Sequence, residues 1–91
     1  MYSLSQAYPN PSAGNVTIRY QLKEDGPVSL KVYNTLGQPV RTLASGSRKA
    51  DYYTVGWNGR NDAGQKVSAG VYLYRLEAKG YSATKKMAVL R

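Results

Sequence analysis

The chain has 91 residues and a formal net charge of +8, with 13 Lys and Arg against 5 Asp and Glu, and it contains neither Cys nor His. A chain of this length forms one domain with a modest core, because it buries roughly 60–65% of the surface that its unfolded form exposes. Without Cys and His it lacks disulfides, thiolate ligands and the usual general base near neutral pH. The composition therefore disfavours an enzyme, and we expect no cofactor.

The excess of positive charge favours an anionic partner, such as nucleic acid, an acidic polysaccharide or an anionic membrane face. The alternative is a solvated basic surface that only keeps the domain soluble. No stretch approaches the ~20 apolar residues of a membrane-spanning helix. Residues 1–4 also lack the charged start and apolar run of a signal peptide. If the protein is exported, we expect this chain to be the tail of a longer precursor.

The hydrophobic period is two along almost the whole chain, which is typical of strands with one buried face. Nowhere do apolar residues recur at helical spacing over three turns. The pattern predicts an all-β fold, an antiparallel β-sandwich of about seven short strands. Alternating segments predict strands over residues 16–22, 28–32, 39–43, 51–57, 71–78 and 81–90.

The segments between these strands carry Gly, Pro and small polar residues. Residues 8–14 include two prolines, so we expect a kinked, extended lead-in there. The predicted organisation is an extended Pro-rich lead-in over residues 1–14 and a sandwich domain over residues 15–91. Residues 44–50 are small and basic, and we expect them to form the most mobile loop.

A single core is predicted from the inward positions of the alternating segments. It comprises Val16, Ile18, Leu22, Leu30, Val32, Val55, Trp57, Tyr72, Tyr74 and Leu76. Phe is absent, so nine Tyr and one Trp supply all the aromatic area. We expect some of the tyrosines, such as Tyr33, Tyr52 and Tyr81, to face outward with their hydroxyls in water.

Three motifs are interpreted as structural. In the first, Pro9, Asn10 and Pro11 fix the entry angle into the first core strand, with Asn10 closing a local turn. In the second, Leu36 is expected to tuck beneath the turn that Gly37 makes with a positive φ. The third motif runs from Trp57 to Tyr74 and includes Gly59, Asp62, Gly64, Gly70 and Tyr72.

The third motif also raises the question of a calcium site. Asn58, Asn61 and Asp62 offer oxygen ligands in one loop. A single carboxylate is few for calcium, however, and the EF-hand spacing is absent. We therefore expect a tight turn with Gly64 in the left-handed conformation, and no metal site.

The chain closes with an apolar strand flanked by basic residues. Met87 and Val89 are predicted to point inward, whereas Lys85, Lys86 and Arg91 are expected to be exposed to solvent. Lysines on an edge strand discourage edge-to-edge aggregation, which is the purely structural interpretation of this segment.

Taken together, these motifs resemble the C-terminal sorting domain of type IX (Por) secretion and, more distantly, the Ig-like domain of flagellar hook-capping proteins. The resemblance covers residues 8–91. It implies an Ig-like sandwich that acts as a non-catalytic export label, with Lys85, Lys86, Met87, Val89 and Arg91 as candidates for the sorting signal.

The resemblance also implies the route and the partners of such a protein. The expected partners are the type IX outer-membrane translocon and sortase components, together with anionic lipopolysaccharide. The expected location is the periplasm in transit and then the cell surface or the exterior. We expect a monomer without a transmembrane segment.

Two other functions remain open at this stage. The first is a retained accessory module that attaches a surface enzyme to the cell envelope or to a polysaccharide; an exposed row of aromatic rings would favour it. The second is an assembly module like the hook-capping domain. Basic residues between tyrosines are also found on single-stranded nucleic-acid platforms, but no accompanying motif supports binding of nucleic acid.

Overall fold

The computed structural model describes residues 1–90, which fold into seven strands and no helix. The strands are β1 (Ser3–Leu4), β2 (Val16–Gln21), β3 (Gly26–Tyr33), β4 (Pro39–Arg48), β5 (Tyr52–Trp57), β6 (Gly70–Ala78) and β7 (Tyr81–Val89). They form two antiparallel sheets. Sheet A has the order β1-β2-β5, and sheet B has the order β4-β3-β6-β7. The all-β sandwich predicted from the alternation is confirmed, as is the Ig-like arrangement that the resemblance implied.

The two sheets enclose one core, built from the inward positions of each strand. Strand β2 shows how the sequence specifies this arrangement: Val16, Ile18 and Tyr20 are buried, and Thr17 and Arg19 between them face outward. Nine of the ten residues predicted for the core are buried. The exception is Val55, which packs against the core but is only half-buried, because β5 is an edge strand of the smaller sheet.

The centre of sheet B is formed by β3 and β6. Leu30 lies opposite Ala44 on one side and Leu76 on the other, and both leucines are completely buried. At the margins of the sandwich, β1 contacts β7 and β5 contacts β4. Each sheet therefore covers the other from edge to edge.

Two segments differ from the sequence-based expectation. Residues 44–50, expected as a mobile loop, lie mostly in β4, because that strand continues to Arg48 and pairs with the start of β3. Their small residues suit an edge strand that pairs on one side only. Residues 1–14, expected as an extended lead-in, contribute β1 and bury Leu4 and Ala7 in the same core as the sandwich.

The position of Leu36 is a further difference. We expected it beneath the turn between β3 and β4, but its side chain is 83% exposed. Gly37 does make the turn, with φ at +82°. The turn is closed by the Asn34 side chain, which accepts hydrogen bonds from the backbone N–H groups of Leu36 and Gln38. No apolar contact is therefore needed to hold this turn.

Candidate interaction surface at the last strand

Strand β7 lies at an edge of sheet B and pairs with β6 along its whole length. Its last inward positions are Met87 and Val89, which are 2% and 0% exposed, as the alternation predicts. Both side chains belong to the common core. The C-terminal end of β7 is therefore held against the sandwich by its own side chains.

The basic residues of this strand are placed on different faces. Lys86 is exposed on the outer face of sheet B, where it lies opposite Leu73. Lys85 was expected to be exposed but is half-buried, because it lies on the same face of the strand as Met87. Its long apolar stem can line the sandwich margin while the ammonium group reaches water. Arg91 lies outside the described residues.

The free edge of β7 is partly covered by residues 6–12, which we call the N-terminal strap. Ser12 forms a parallel bridge with Val89. The Ser12 N–H donates to the Ala88 carbonyl at 3.0 Å, and the Leu90 N–H donates to the Ser12 carbonyl at 2.7 Å. The strap thus satisfies backbone groups that an edge strand otherwise leaves unpaired.

Side chains extend this coverage. The Asn10 Oδ1 atom accepts from the Ala88 N–H at 2.9 Å, and the Gln6 Nε2 atom donates to the Lys86 carbonyl at 2.9 Å. Asn10 was expected to close a local turn, but its side chain instead reaches a strand 78 residues away. Because such partners are distant in sequence, no local pattern marked Gln6 or Ser12 as important.

The strap is also fixed from within the sandwich by Tyr74. The Tyr74 hydroxyl accepts from the Ala7 N–H at 2.7 Å and donates to the Ser5 carbonyl at 2.8 Å. The ring itself is completely buried. Burial raises the pKa of Tyr74, and the hydrogen bond from Ala7 partly opposes this shift. Tyr74 thus links the start of the strap to the centre of sheet B.

This arrangement predicts a dependence of stability on alkaline pH. Since the folded protein favours the neutral phenol, the stabilisation is fully present below the ordinary tyrosine pKa of about 10 and is lost as the pH rises through the raised folded value. Tyr74→Phe should cost about 1–3 kcal/mol near neutrality, because it leaves the buried Ala7 N–H without its partner. Urea unfolding should show this difference shrinking above about pH 10. If the difference in free energy of unfolding between the two proteins stays constant across this pH range, the prediction is contradicted.

The first half of β7 is not covered by the strap. The strap bonds to backbone groups of residues 86, 88 and 90, which face the open edge. Because strands repeat every two residues, the backbone groups of Ser82 and Thr84 face the same edge. Among the described residues, no hydrogen bond outside the sheet reaches these groups. The Thr84 hydroxyl accepts from the Arg75 Nε atom at 3.2 Å, which orients that side chain.

The loop between β5 and β6 lies against the opposite edge of sheet B, at β4. The Asp62 N–H donates to the Val40 carbonyl, and the Asp62 Oδ1 atom accepts from the Thr42 N–H at 3.1 Å. Arg41 lies 3.8 Å from the same carboxylate oxygen. Asp62 is thereby engaged in covering an edge strand.

Trp57 packs in the core beneath this loop and forms a hydrogen bond to its backbone. Its side chain is 2% exposed, and its indole Nε1 atom donates to the Arg60 carbonyl at 2.8 Å. Its ring meets that of Tyr72 edge to face, with centroids 5.7 Å apart, and the Tyr72 hydroxyl donates to the Ser68 carbonyl. Val67 donates from its N–H to the carbonyl of Gly59. These residues of the third motif hold the loop by packing and hydrogen bonds.

The same turn is built twice, over residues 34–38 and 61–65. Both have the sequence Asn-x-x-Gly-Gln. In each, the Asn side-chain oxygen accepts two backbone N–H groups at 3.0 Å, and the glycine adopts φ near +82° or +83°. The repeated sequence is short, and only the shared hydrogen bonds show that both copies form the same Asn-capped turn.

The potential metal-ligating side chains of the described residues are dispersed. Residues 1–90 contain no group of three or more His, Cys, Asp or Glu side chains that could hold an ion. Across the same residues, no helix is long and apolar enough to cross a membrane.

The chain is similar to known proteins both in sequence and in structure. At the level of sequence, the model of the FlgD Ig-like domain matches residues 5–82, from the strap to the first half of β7. The chain belongs to the FlgD Ig-like domain family. No curated protein matches this FlgD Ig-like domain closely enough to be counted.

Two solved structures from Porphyromonas gingivalis contain a similar fold. One is dimeric latent PorU, with a TM-score of 0.73 and 23% identity, and the match covers 99% of this chain and 9% of PorU. The other is PorZ, with a TM-score of 0.56 and 24% identity over 99% of this chain and 11% of PorZ. The FlgD Ig-like domain thus corresponds to about a tenth of each protein. At these identities the likeness shows the fold, and it confirms the resemblance predicted from the sequence.

Proposed function

We propose that this FlgD Ig-like domain is a non-catalytic sorting module that directs an attached cargo protein to the outer-membrane machinery of type IX secretion for surface attachment or release. The observation that carries the proposal is the match of 99% of the chain to part of PorZ, which is described as an essential bacterial surface component of the type IX secretion system. The proposed partners are translocon and sortase components and anionic lipopolysaccharide. The proposed route leads through the periplasm to the cell surface.

The recognition surface that we propose is the basic edge at β7. Lys86 is exposed there, and the backbone groups of Ser82 and Thr84 face the open edge. An extended segment of the machinery could pair with this edge by strand addition. Since the strap occupies the edge at Ala88 and Leu90, such pairing would be confined to the first half of β7 unless the strap is displaced.

A reporter fusion tests the proposal directly. The chain is placed behind a reporter that carries its own inner-membrane signal peptide, in strains with and without the type IX machinery. We expect the reporter outside the cell only when the machinery is present, and in the periplasm when it is absent. Export in both strains would refute the proposal. A reporter held at the surface without the machinery would instead favour the retained accessory module.

Charge at the edge is tested by Lys85→Ala combined with Lys86→Ala. The exposed Lys86 adds little to stability, but Lys85→Ala also removes a half-buried apolar stem, so we expect the free energy of unfolding to fall by no more than about 1–2 kcal/mol. Export of the reporter should fall, because the recognition surface loses two positive charges. The matched control is Lys23→Ala with Lys49→Ala, which removes the same charge from exposed positions elsewhere. Equal export by both double variants would contradict the role of the β7 lysines.

A further inference from the structure

The outer face of sheet A carries a feature that the proposed function does not use. Because Val16, Ile18 and Tyr20 point into the core, Thr17, Arg19 and Gln21 point away from it. In β5, Thr54 lies opposite Arg19, and the other two outward positions, Tyr52 and Gly56, lie opposite Gln21 and Thr17. This face is polar and hydroxyl-rich, and it is not covered by any other element of the described chain.

Two adjoining hollows run across this face. One, of about 230 Å³, is lined by Ser5, Gln6, Tyr8, Thr17 and Arg19. The other, of about 120 Å³, includes Ser5, Arg19, Tyr52 and Thr54 in its lining. Ser5 and Arg19 line both hollows, so together they form one shallow groove. Each hollow is smaller than the roughly 300–1,000 Å³ cleft of a drug-sized ligand and is therefore suited to a single small ring.

An exposed tyrosine lies in each hollow. Tyr8 is 71% exposed and Tyr52 is 74% exposed. Tyr8 bridges to Thr17, and Tyr52 pairs with Gln21, so the two lie four residues apart along β2. At about 3.3 Å per residue, this offset is roughly 13 Å along the strand, with Arg19 between them. The groove therefore fits an elongated ligand rather than a compact one.

Arg19 gives the groove its charge preference. Its side chain is exposed, and the one ion pair found among residues 1–90 joins Arg41 to Asp62, on another part of the surface. No Asp or Glu lines either hollow. A guanidinium group recognises a carboxylate through two parallel hydrogen bonds. The groove thus offers a cation with no acidic side chain in its lining, flanked by two aromatic rings and several hydroxyls.

From this geometry, we propose that the outer face of sheet A binds a carboxylated oligosaccharide, a chain of sugars that includes uronic acids. The C–H faces of two sugar rings pack on Tyr8 and Tyr52, whose rings combine an apolar surface with a polar edge. A carboxylate between them pairs with Arg19. The hydroxyls of Ser5, Thr17 and Thr54 supply hydrogen bonds to the sugar hydroxyls. This site is distinct from the open first half of β7, although Gln6, which lines one hollow, donates to the Lys86 carbonyl.

The test measures binding of the purified 91-residue chain to three uronic-acid polymers, polygalacturonate, alginate and hyaluronate, with neutral dextran for comparison. We expect at least one acidic polymer to bind and dextran to bind more weakly. Tyr52→Ala, Tyr8→Ala and Arg19→Ala should each weaken the binding about tenfold, as truncation of an interface anchor does. Binding to none of the three acidic polymers would overturn the proposal.

General attraction between a basic protein and a polyanion must be separated from recognition by the groove. The matched control for Arg19→Ala is Lys66→Ala, which removes one exposed charge from the loop between β5 and β6. Leu36→Ala is the control for removal of an exposed apolar side chain. Both controls should retain at least about half of the wild-type affinity in 0.15 M salt, where distant surface charges are largely screened. Equal losses for Arg19→Ala and Lys66→Ala, or unchanged binding by both tyrosine variants, would overturn the proposal.

Discussion

Leu30→Ala is expected to destabilise the domain by about 2–5 kcal/mol, since it removes a completely buried side chain and leaves a cavity. Leu30 lies between Ala44 and Leu76 at the centre of sheet B, where neighbouring strands restrict collapse of the cavity. A 91-residue domain has roughly 5–14 kcal/mol of total stability, so the loss is a large fraction of it. In thermal unfolding, Tm should fall by more than about 10 °C.

The chain provides a matched control for this experiment. Leu36→Ala makes the same chemical change at a side chain that is 83% exposed, so we expect a change in stability within about 0.5 kcal/mol. A comparable loss of Tm in both variants would contradict the placement of these two leucines. It would also contradict the finding that hydrogen bonds from Asn34, rather than burial of Leu36, hold the turn.

Deletion of residues 87–91 is expected to have the second large effect. It removes the buried side chains of Met87 and Val89, together with the backbone partners of the strap at Ala88 and Leu90. The loss of the Met87 side chain alone is worth about 2–5 kcal/mol. We therefore expect the truncated chain to lose its cooperative unfolding transition, and a fused reporter to lose export.

Export and folding must be measured together to interpret this deletion. Asn10→Ala is a milder variant, because it removes one hydrogen bond between the strap and Ala88 and leaves β7 intact. We expect it to cost only about 0.5–1.5 kcal/mol, since this hydrogen bond is exposed and the freed N–H can bond to water. If the truncated chain unfolds with the wild-type free energy, the packing described for β7 is wrong. If a folded truncated chain still supports export, the end of β7 is not part of the signal.

Much of the fold could be predicted because strand alternation is a local property. The period of two in residues 16–22 and 71–78 was enough to place Ile18, Tyr74 and Leu76 in one core. The positive φ of Gly37 and Gly64 was likewise predictable, because a tight turn needs that conformation whatever surrounds it. Within the candidate surface, alternation also identified Met87 and Val89 as inward-facing.

The remaining features depend on partners that are distant in the sequence. Leu36 is exposed because a side chain of its own turn already satisfies the backbone there, and hydrophobicity alone does not reveal this. Residues 44–48 form a strand because β3 offers them a partner, although their small side chains carry no strand signal. Lys85 is half-buried because it shares a face with Met87 at the sandwich margin.

The sequence by itself therefore determined the fold class, most of the core and the basic character of the domain. Those properties follow from composition and short-range periodicity. The tertiary structure alone decided that the N-terminal strap covers the end of β7, and that Tyr8, Arg19 and Tyr52 share one groove on sheet A. The strap joins Asn10 to Ala88, 78 positions away, and the groove brings Tyr8 and Arg19 beside the distant Tyr52. Only the register of the sheets and the closure of the sandwich bring such residues together.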